Sequence, residues 1–484
     1  MIRLAVPSAF LSRDEPRGCG KPYPYNQAVP YLDVARRCAF GHPPTIIKFE
    51  GKTKMSTFTP YMHPKDELLA TMGRIYQYRM TTTSGGNLSI REENGDIWIT
   101  PTRVDKGTLR REDMVWVGKN GKVEGLHPPS SELPLHQAIY RARPDLRGIV
   151  HAHPVALVAF SAIHEVPNTH LFPKAQSVCG EVLFAPYELP SSEELGTTVA
   201  GKFRQGSDCS ILENHGVVTG GINLGDAFQK FETLEFVGRI IIKGRQLGEV
   251  RFLTPPEIEL ADQRPTMLLE FQREAPSSQE KELRRRLCEF VHRAYRQRLF
   301  ISTQGSFSVR LDESSFLITP YQVDRGTLDP EDIVLIKNGR CEAGKTPSRA
   351  TGDHDTIYRH HPKINALINA SPINATAFSV TNAPLDSRTI PESYCLLRQI
   401  QRVEYGLQYQ DHEALAKRCS VNQPALILEN DGVLVCGGDI LEAYDRLEVL
   451  ESTAEALVDS RSIGELAPMS EKALRGLEVT FLQM

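Results

Sequence analysis

Leu68, Leu69, Met72 and Ile75 fall on one face of the stretch 65–80, with charged and polar residues between them. That 3.6-residue period predicts an amphipathic helix lying on a core. A Gly-rich turn, Ser84–Asn87, opens the strand pattern Leu88–Arg91, and a second strand, Ile97–Thr100, follows the turn signal Glu93–Gly95. His136–Ala142 reads as a helix after a Pro-Ser-Ser entry, Ile149–His153 and Cys209–Leu212 as strands, and Asp226–Leu247 as a long amphipathic helix. Strands and helices alternate without a βαβ period, which predicts an α/β fold: an α/β/α layered domain around a mainly antiparallel sheet.

The pattern occurs twice. SGGNLSIR at 84–91 matches QGSFSVR at 304–310, and ITPTRVDKGTL at 99–109 matches ITPYQVDRGTL at 318–328. IVHAHPVALVAFS at 149–161 matches LINASPINATAFS at 367–379, and ILENHGVVTGG at 211–221 matches ILENDGVLVCGG at 427–438. Four matches in the same order at nearly one offset mark a duplication. The expected organisation is a flexible N-terminal extension over 1–60, which shows no sustained periodicity, a first domain over 61–252, a linker over 253–279 and a second domain over 280–484. The linker expectation rests on a stretch rich in Pro, Glu, Gln and Ser.

Composition narrows the function classes. The net charge of -4 gives no reason to expect a nucleic-acid partner, which usually shows as a basic excess or patch. No apolar run reaches the roughly 18 residues of a membrane-spanning helix, so no membrane partner is expected. Nine scattered cysteines, an odd number with no CxxC pair, point away from a disulfide framework and towards a reducing, cytoplasmic setting.

The candidate chemistry lies in four residues. His151 and His153 stand two apart in a strand pattern, so both imidazoles face the same side. His215 sits where the strand Ser210–Leu212 runs into the turn Glu213–Gly216, and Glu132 follows Ser130-Ser131. Three imidazoles and a carboxylate suit zinc or another divalent ion. The repeat supports that reading. In the second copy Glu132 becomes Ala350, His151 becomes Asn369, His153 becomes Ser371 and His215 becomes Asp431, while the surrounding scaffold persists. Residues that served only packing have no common reason to change as a set. His136 and His354, Tyr140 and Tyr358, Asp105 and Asp324, and Gly107 and Gly326 persist in both copies, which reads as structural.

The GN-S loop, TP-T turn, PSSE segment, HAHP strand and NHG turn of 62–250 resemble those of the class II aldolase/adducin superfamily, in particular its fuculose-phosphate aldolase branch. The resemblance implies that His151, His153 and His215 hold Zn2+, with Mn2+, Fe2+ or Co2+ as alternatives. It implies that Glu132 is both a resting metal ligand and the catalytic acid/base. Tyr187 would be a proton donor, and Gly86, Asn87, Thr102, Ser130 and Ser131 would line a phosphate pocket. Arg103 stands where the family's aldolases commonly have Gly; it either adds a charge-assisted contact to phosphate or carboxylate, or fills the pocket. In the second copy Arg349 replaces Ser131.

The activity so implied is an aldolase-type lyase that cleaves a hydroxylated, phosphorylated keto compound through an enediolate. Epimerisation, decarboxylation and dehydration use related enolate chemistry on the same ligands. A non-catalytic adducin-like scaffold is the alternative of another class. The resemblance further implies a homo-oligomer, two tandem chains mimicking a four-domain ring.

Overall fold

The computed structural model describes residues 62–261 and 268–482; the expected extension over 1–60 lies outside them. The first copy runs α1 (Pro64–Gln77), β1 (Asn87–Arg91), β2 (Ile97–Ile99), β3 (Val115–Val117), β4 (Val123–Glu124), α2 (Leu133–Ala142), β5 (Gly148–Ala152), α3 (Val155–Ala162), α4 (Pro173–Cys179), β6 (Val182–Ala185), α5 (Glu193–Arg204), β7 (Cys209–Leu212), β8 (Gly216–Gly221) and α6 (Leu224–Leu247). Pro64 opens α1, where its missing N–H costs nothing, and His63 Nδ1 accepts from the Lys65 amide.

The strands form one sheet in the order β4-β3-β2-β1-β5-β8-β7-β6, antiparallel except for the parallel pair β6–β7. Alternating residues divide its two faces. Ile149, Leu212 and Val218 pack with Leu135 and Ile139 of α2 and with Val199 and Phe203 of α5. Val150, Ile211 and Val217 face the other way, in a core with Leu68 and Met72 of α1 and Phe228 and Phe231 of α6. The result is the expected α/β/α layering.

The second copy repeats this plan. It comprises α7 (Pro255–Ala261), β9 (Glu270–Phe271), α8 (Ser278–Arg296), β10 (Ser306–Arg310), β11 (Ser315–Ile318), β12 (Val334–Lys337), β13 (Arg340–Glu342), α9 (Thr351–His360), β14 (Ala366–Ala370), α10 (Ile373–Ser379), α11 (Pro391–Leu397), β15 (Gln401–Val403), α12 (Leu407–Gln410), α13 (His412–Arg418), β16 (Ala425–Leu428), β17 (Gly432–Gly437) and α14 (Ile440–Ser460). Its sheet, β15-β16-β17-β14-β10-β11-β12-β13-β9, has the order of the first with one strand added.

The added strand corrects the reading of 253–279 as a plain linker. Pro255 begins helix α7, and β9 pairs in parallel with β13. Arg273 then reaches Glu342 at 2.9 Å. A short edge strand takes its partner from another part of the chain, so its own Pro- and Glu-rich composition carries no sign of it.

The two copies share one core, in which Leu68 and Phe228 of the first lie in the same cluster as Val291 and Leu447 of the second. Arg74 of α1 pairs with Asp324 at 2.6 Å, and Tyr295 donates to the buried Glu232 at 2.9 Å. The Asn430 side chain donates to the Leu171 and Arg251 carbonyls, both at 3.0 Å. Among the described residues all seven cysteines are free thiols, and no helix is long and apolar enough to cross a membrane.

Candidate metal centre

Strand β5 ends at Ala152, so His151 is its penultimate residue and His153 lies just beyond it. Both side chains still point to one side, and their Nε2 atoms are 3.2 Å apart. The Gly216 position explains how the chain gets so close: a Cβ there would lie 2.7 Å from the Ala152 carbonyl oxygen and 2.8 Å from the His153 ring. Gly86 has φ +72, and a Cβ there would meet the His151 carbonyl oxygen at 2.9 Å. His215 enters from the β7–β8 turn, after Asn214 in the left-handed region (φ 51). The nitrogens of His151, His153 and His215 all lie within 4.8 Å of one another.

The protons are arranged for metal binding. His151 Nδ1 donates to the Val217 carbonyl at 2.9 Å, which turns Nε2 towards Glu132 and the other imidazoles. His215 Nδ1 is buried with no hydrogen-bond partner in the structure. Glu132, at the start of α2, places Oε2 3.0 Å from His151 Nε2 and Oε1 3.5 Å from His215 Nε2. Burial pushes its carboxyl up, but the charge of His151 and the hydrogen bonds from His151 and Asn87 outweigh that and hold it well below the usual carboxylate range. Burial would also lower His151, yet facing Glu132 raises it. Burial, with the charges of His151 and His215, lowers His153 to about 3, and burial with the charge of His151 lowers His215 to about 4. His153 and His215 are neutral imidazoles beside an ionised carboxylate, and three imidazoles with a carboxylate are a donor set that fits a divalent ion.

The remaining expected residues divide. Asn87 lies directly opposite His151 in the β1–β5 ladder, and its Nδ2 donates to Glu132 Oε2 at 2.8 Å. Its side chain therefore holds the carboxylate, a different role from the phosphate lining expected of it. Ser130 is buried, and its hydroxyl accepts from the Glu132 amide at 3.2 Å. Pro101 and Pro129 form a bridge that brings the Thr102 turn beside the Ser130–Glu132 segment. Ser131 and Arg103 are exposed there. Arg103 has φ 55, and its counterpart Gln322 has φ 54, so this turn position is left-handed in both copies and suits glycine. Tyr187 is not brought into the site. The residue is 54 % exposed, its backbone amide is tied to Glu213 at 2.9 Å, and no contact joins it to the histidines among the described residues.

Two contributors were missed or set aside on sequence. His136, read as structural, is buried one helical turn from Glu132. Its Nε2 lies 2.5 Å from Asn87 Oδ1, and the Ser89 hydroxyl lies 2.6 Å from its Nδ1. A proton on Nε2 gives a continuous chain from Ser89 through His136 and Asn87 to Glu132. The four-residue spacing from Glu132 was the available signal. Lys106 is buried and donates to the Pro101 carbonyl at 2.9 Å; burial lowers its pKa to about 8.

The model of the class II aldolase and adducin N-terminal domain matches residues 66–242 and again 285–458, well over half of the chain. The chain belongs to this family. L-fuculose phosphate aldolase of Methanococcus maripaludis is 36% identical over 168 residues, 34% of this chain and 89% of that protein. 3-Oxo-tetronate 4-phosphate decarboxylase of Haemophilus influenzae is 31% identical over 198 residues, 40% of this chain and 93% of that protein. A solved structure of an L-fuculose 1-phosphate aldolase is 31% identical and covers 41% of this chain and 93% of its own, with a TM-score of 0.38. Each of these relatives has about the length of one copy.

Proposed function

We propose that the first copy is a divalent-metal-dependent lyase that cleaves a carbon–carbon bond beside the carbonyl of a hydroxylated, phosphorylated substrate, and that the second copy is non-catalytic. The observation that carries this is the ionised Glu132 carboxylate against three imidazoles, fixed by Asn87. An ion held by His151, His153 and His215 would supply Lewis-acid polarisation of the substrate carbonyl. The chain's own residues supply the rest. Glu132, ionised at rest, takes the proton of the hydroxyl on the carbon that leaves as aldehyde and returns it to the carbon beside the carbonyl once that bond has broken. Asn87, held by His136, keeps Oε2 in place, while Oε1 lies 3.5 Å from His215 Nε2. Backbone amides at Gly86 and in the Thr102 turn, with the Ser131 hydroxyl and Arg103, would receive the phosphate. The reading assigns no step to Tyr187.

Two relatives support the substrate class, since their names are a sugar-phosphate aldolase and an oxo-acid phosphate decarboxylase. Decarboxylation is the second reading, favoured by Arg103, a cation suited to a carboxylate. A panel of phosphorylated ketoses and phosphorylated oxo-acids, read for both aldehyde and carbon dioxide release, tests the two together. Aldehyde release supports the aldolase, carbon dioxide release the decarboxylase, and neither product from any compound with metal loaded contradicts the lyase reading.

We also propose that two chains associate so that four related domains come together. Light scattering should give twice the 54.1 kDa of one chain; a monomer at assay concentration with full turnover contradicts it.

A further inference from the structure

The second copy has kept a cavity where its ligand positions fall. Ala350, Asn369, Ser371 and Asp431, the four positions that changed together, all line one space of about 220 Å³. The first copy completes the wall with Phe172, Lys174 at the start of α4, and Phe236 of α6. An abandoned pocket has no physical reason to stay open, because apolar side chains that fill it gain packing. This one is lined largely by polar groups.

Its charges are also unbalanced. Lys174 and Arg349 approach the same Tyr321 ring, 5.7 and 5.9 Å from its centroid. Arg325 is engaged, donating to the carbonyls of Gln304, Gly305, Pro320 and Val323. Arg349 donates to the Ala261 carbonyl at 3.3 Å and has no carboxylate partner among the described residues. The Lys174 ammonium has neither a hydrogen bond nor an ion pair among them; burial, with the charges of Arg349 and Arg325, lowers it to about 8. Among the carboxylates facing the cavity, Asp431 feels the charge of Arg349, and none pairs with Lys174 among the described residues. Asp353 is paired with His412 at 2.7 Å, and Asp431 accepts from Gln408 at 3.2 Å while burial pushes its carboxyl towards the neutral form. Gln408 Oε1 is buried with no hydrogen-bond partner among the described residues. Relative to the first copy, Arg349 for Ser131 adds a positive charge and Ala350 for Glu132 removes a negative one, while Asp431 for His215 adds a carboxyl that burial pushes towards its neutral form. The partly buried Lys174 ammonium, without a partner among the described residues, is costly, which gives a bound anion a ready role, and the exposed Arg349 beside the same ring is within reach of it.

We propose that this cavity is a metal-free binding site for a small hydroxylated anion, a compound bearing phosphate or carboxylate. Lys174 and Arg349 hold the anionic group, and Gln408 Oε1 accepts from a hydroxyl. Because Lys174 belongs to the first copy and Arg349 to the second, the ligand bridges the two.

The test uses the full chain at constant ionic strength, titrated with inorganic phosphate and, separately, with citrate. Acetylation of Lys174 is followed by peptide mass spectrometry. At saturation at least one of the two anions should slow that acetylation about tenfold. Protection by phosphate alone identifies a phosphate site, and by citrate alone a carboxylate site. Arg349→Ser, which restores the residue of the first copy, should weaken binding about tenfold or more, as loss of a charge-assisted contact does. His153→Ala should leave the protection intact, so failure of the lyase reading and failure of this one are told apart. Unchanged Lys174 acetylation at saturating phosphate and citrate, which needs no variant, overturns the proposal, as does an unchanged isotherm for Arg349→Ser.

Discussion

Asn87 and Ser306 occupy the same place in the two sheets, opposite His151 in the first and Asn369 in the second. Behind each lies a buried helix histidine. In the first copy His136 contacts Asn87; in the second His354 Nε2 lies 2.6 Å from Asn369 Oδ1, while its Nδ1 keeps the serine partner, Ser308, at 2.7 Å. When the ligand position changed from His to Asn, the supporting imidazole found a new partner in the residue that replaced the ligand. A buried imidazole needs a partner whether or not a metal is held. Scaffold and function are therefore separable at this site, and the residues that differ between copies mark the function more sharply than those that persist.

Substitutions that act on one copy and spare the other sharpen this comparison. The largest effect is expected at Glu132. Glu132→Gln should lower kcat by about 10²–10⁴-fold with the fold intact, the usual range for losing a general acid/base; a fall of less than tenfold would remove Glu132 from the proton-transfer role.

The next separates equivalent turn aspartates. Asp324 is buried against Arg74 across the copies, whereas Asp105 only holds its own turn through the Gly107 amide and Thr108. Asp324→Ala should destabilise by about 3–5 kcal/mol, because it strands a mostly buried guanidinium. Asp105→Ala should cost about 1 kcal/mol, the scale of an ordinary hydrogen bond. Urea denaturation of both variants checks the order, and equal costs would mean that the junction between the copies contributes little.

Asn87→Ala comes third. It removes a hydrogen bond to a charged group, worth about 1.5–3 kcal/mol, so kcat/KM should fall about ten- to a hundredfold. The corresponding change in the other copy, Ser306→Ala, should leave turnover within about twofold, since that copy carries no Glu132 equivalent. A matching loss in both variants would show that the second copy takes part in the chemistry.

Much of this was legible in the sequence. The repeat, the layered fold and the four residues His151, His153, His215 and Glu132 that the fold brings together were, because a duplicated chain carries its own internal control. What was not legible depends on pairings between distant segments. Asn87 turns to Glu132 only once β1 and β5 are in register. Strand β9 exists only because the edge of β13 accepts it. The left-handed turn at Arg103 and the exposed ring of Tyr187 are set by backbone geometry, which a motif match does not carry. Lys174 was invisible as a pocket residue because it lies in the other copy.

The central claim is that one copy holds a metal ion and the other does not. Elemental analysis of the divalent-metal content per chain, on the intact protein, His153→Ala and Ser371→Ala, tests it most directly. The intact protein and Ser371→Ala should each carry close to one ion per chain, and His153→Ala should lose it. Two ions per chain, or none after reloading with zinc, manganese, iron or cobalt, would contradict the claim.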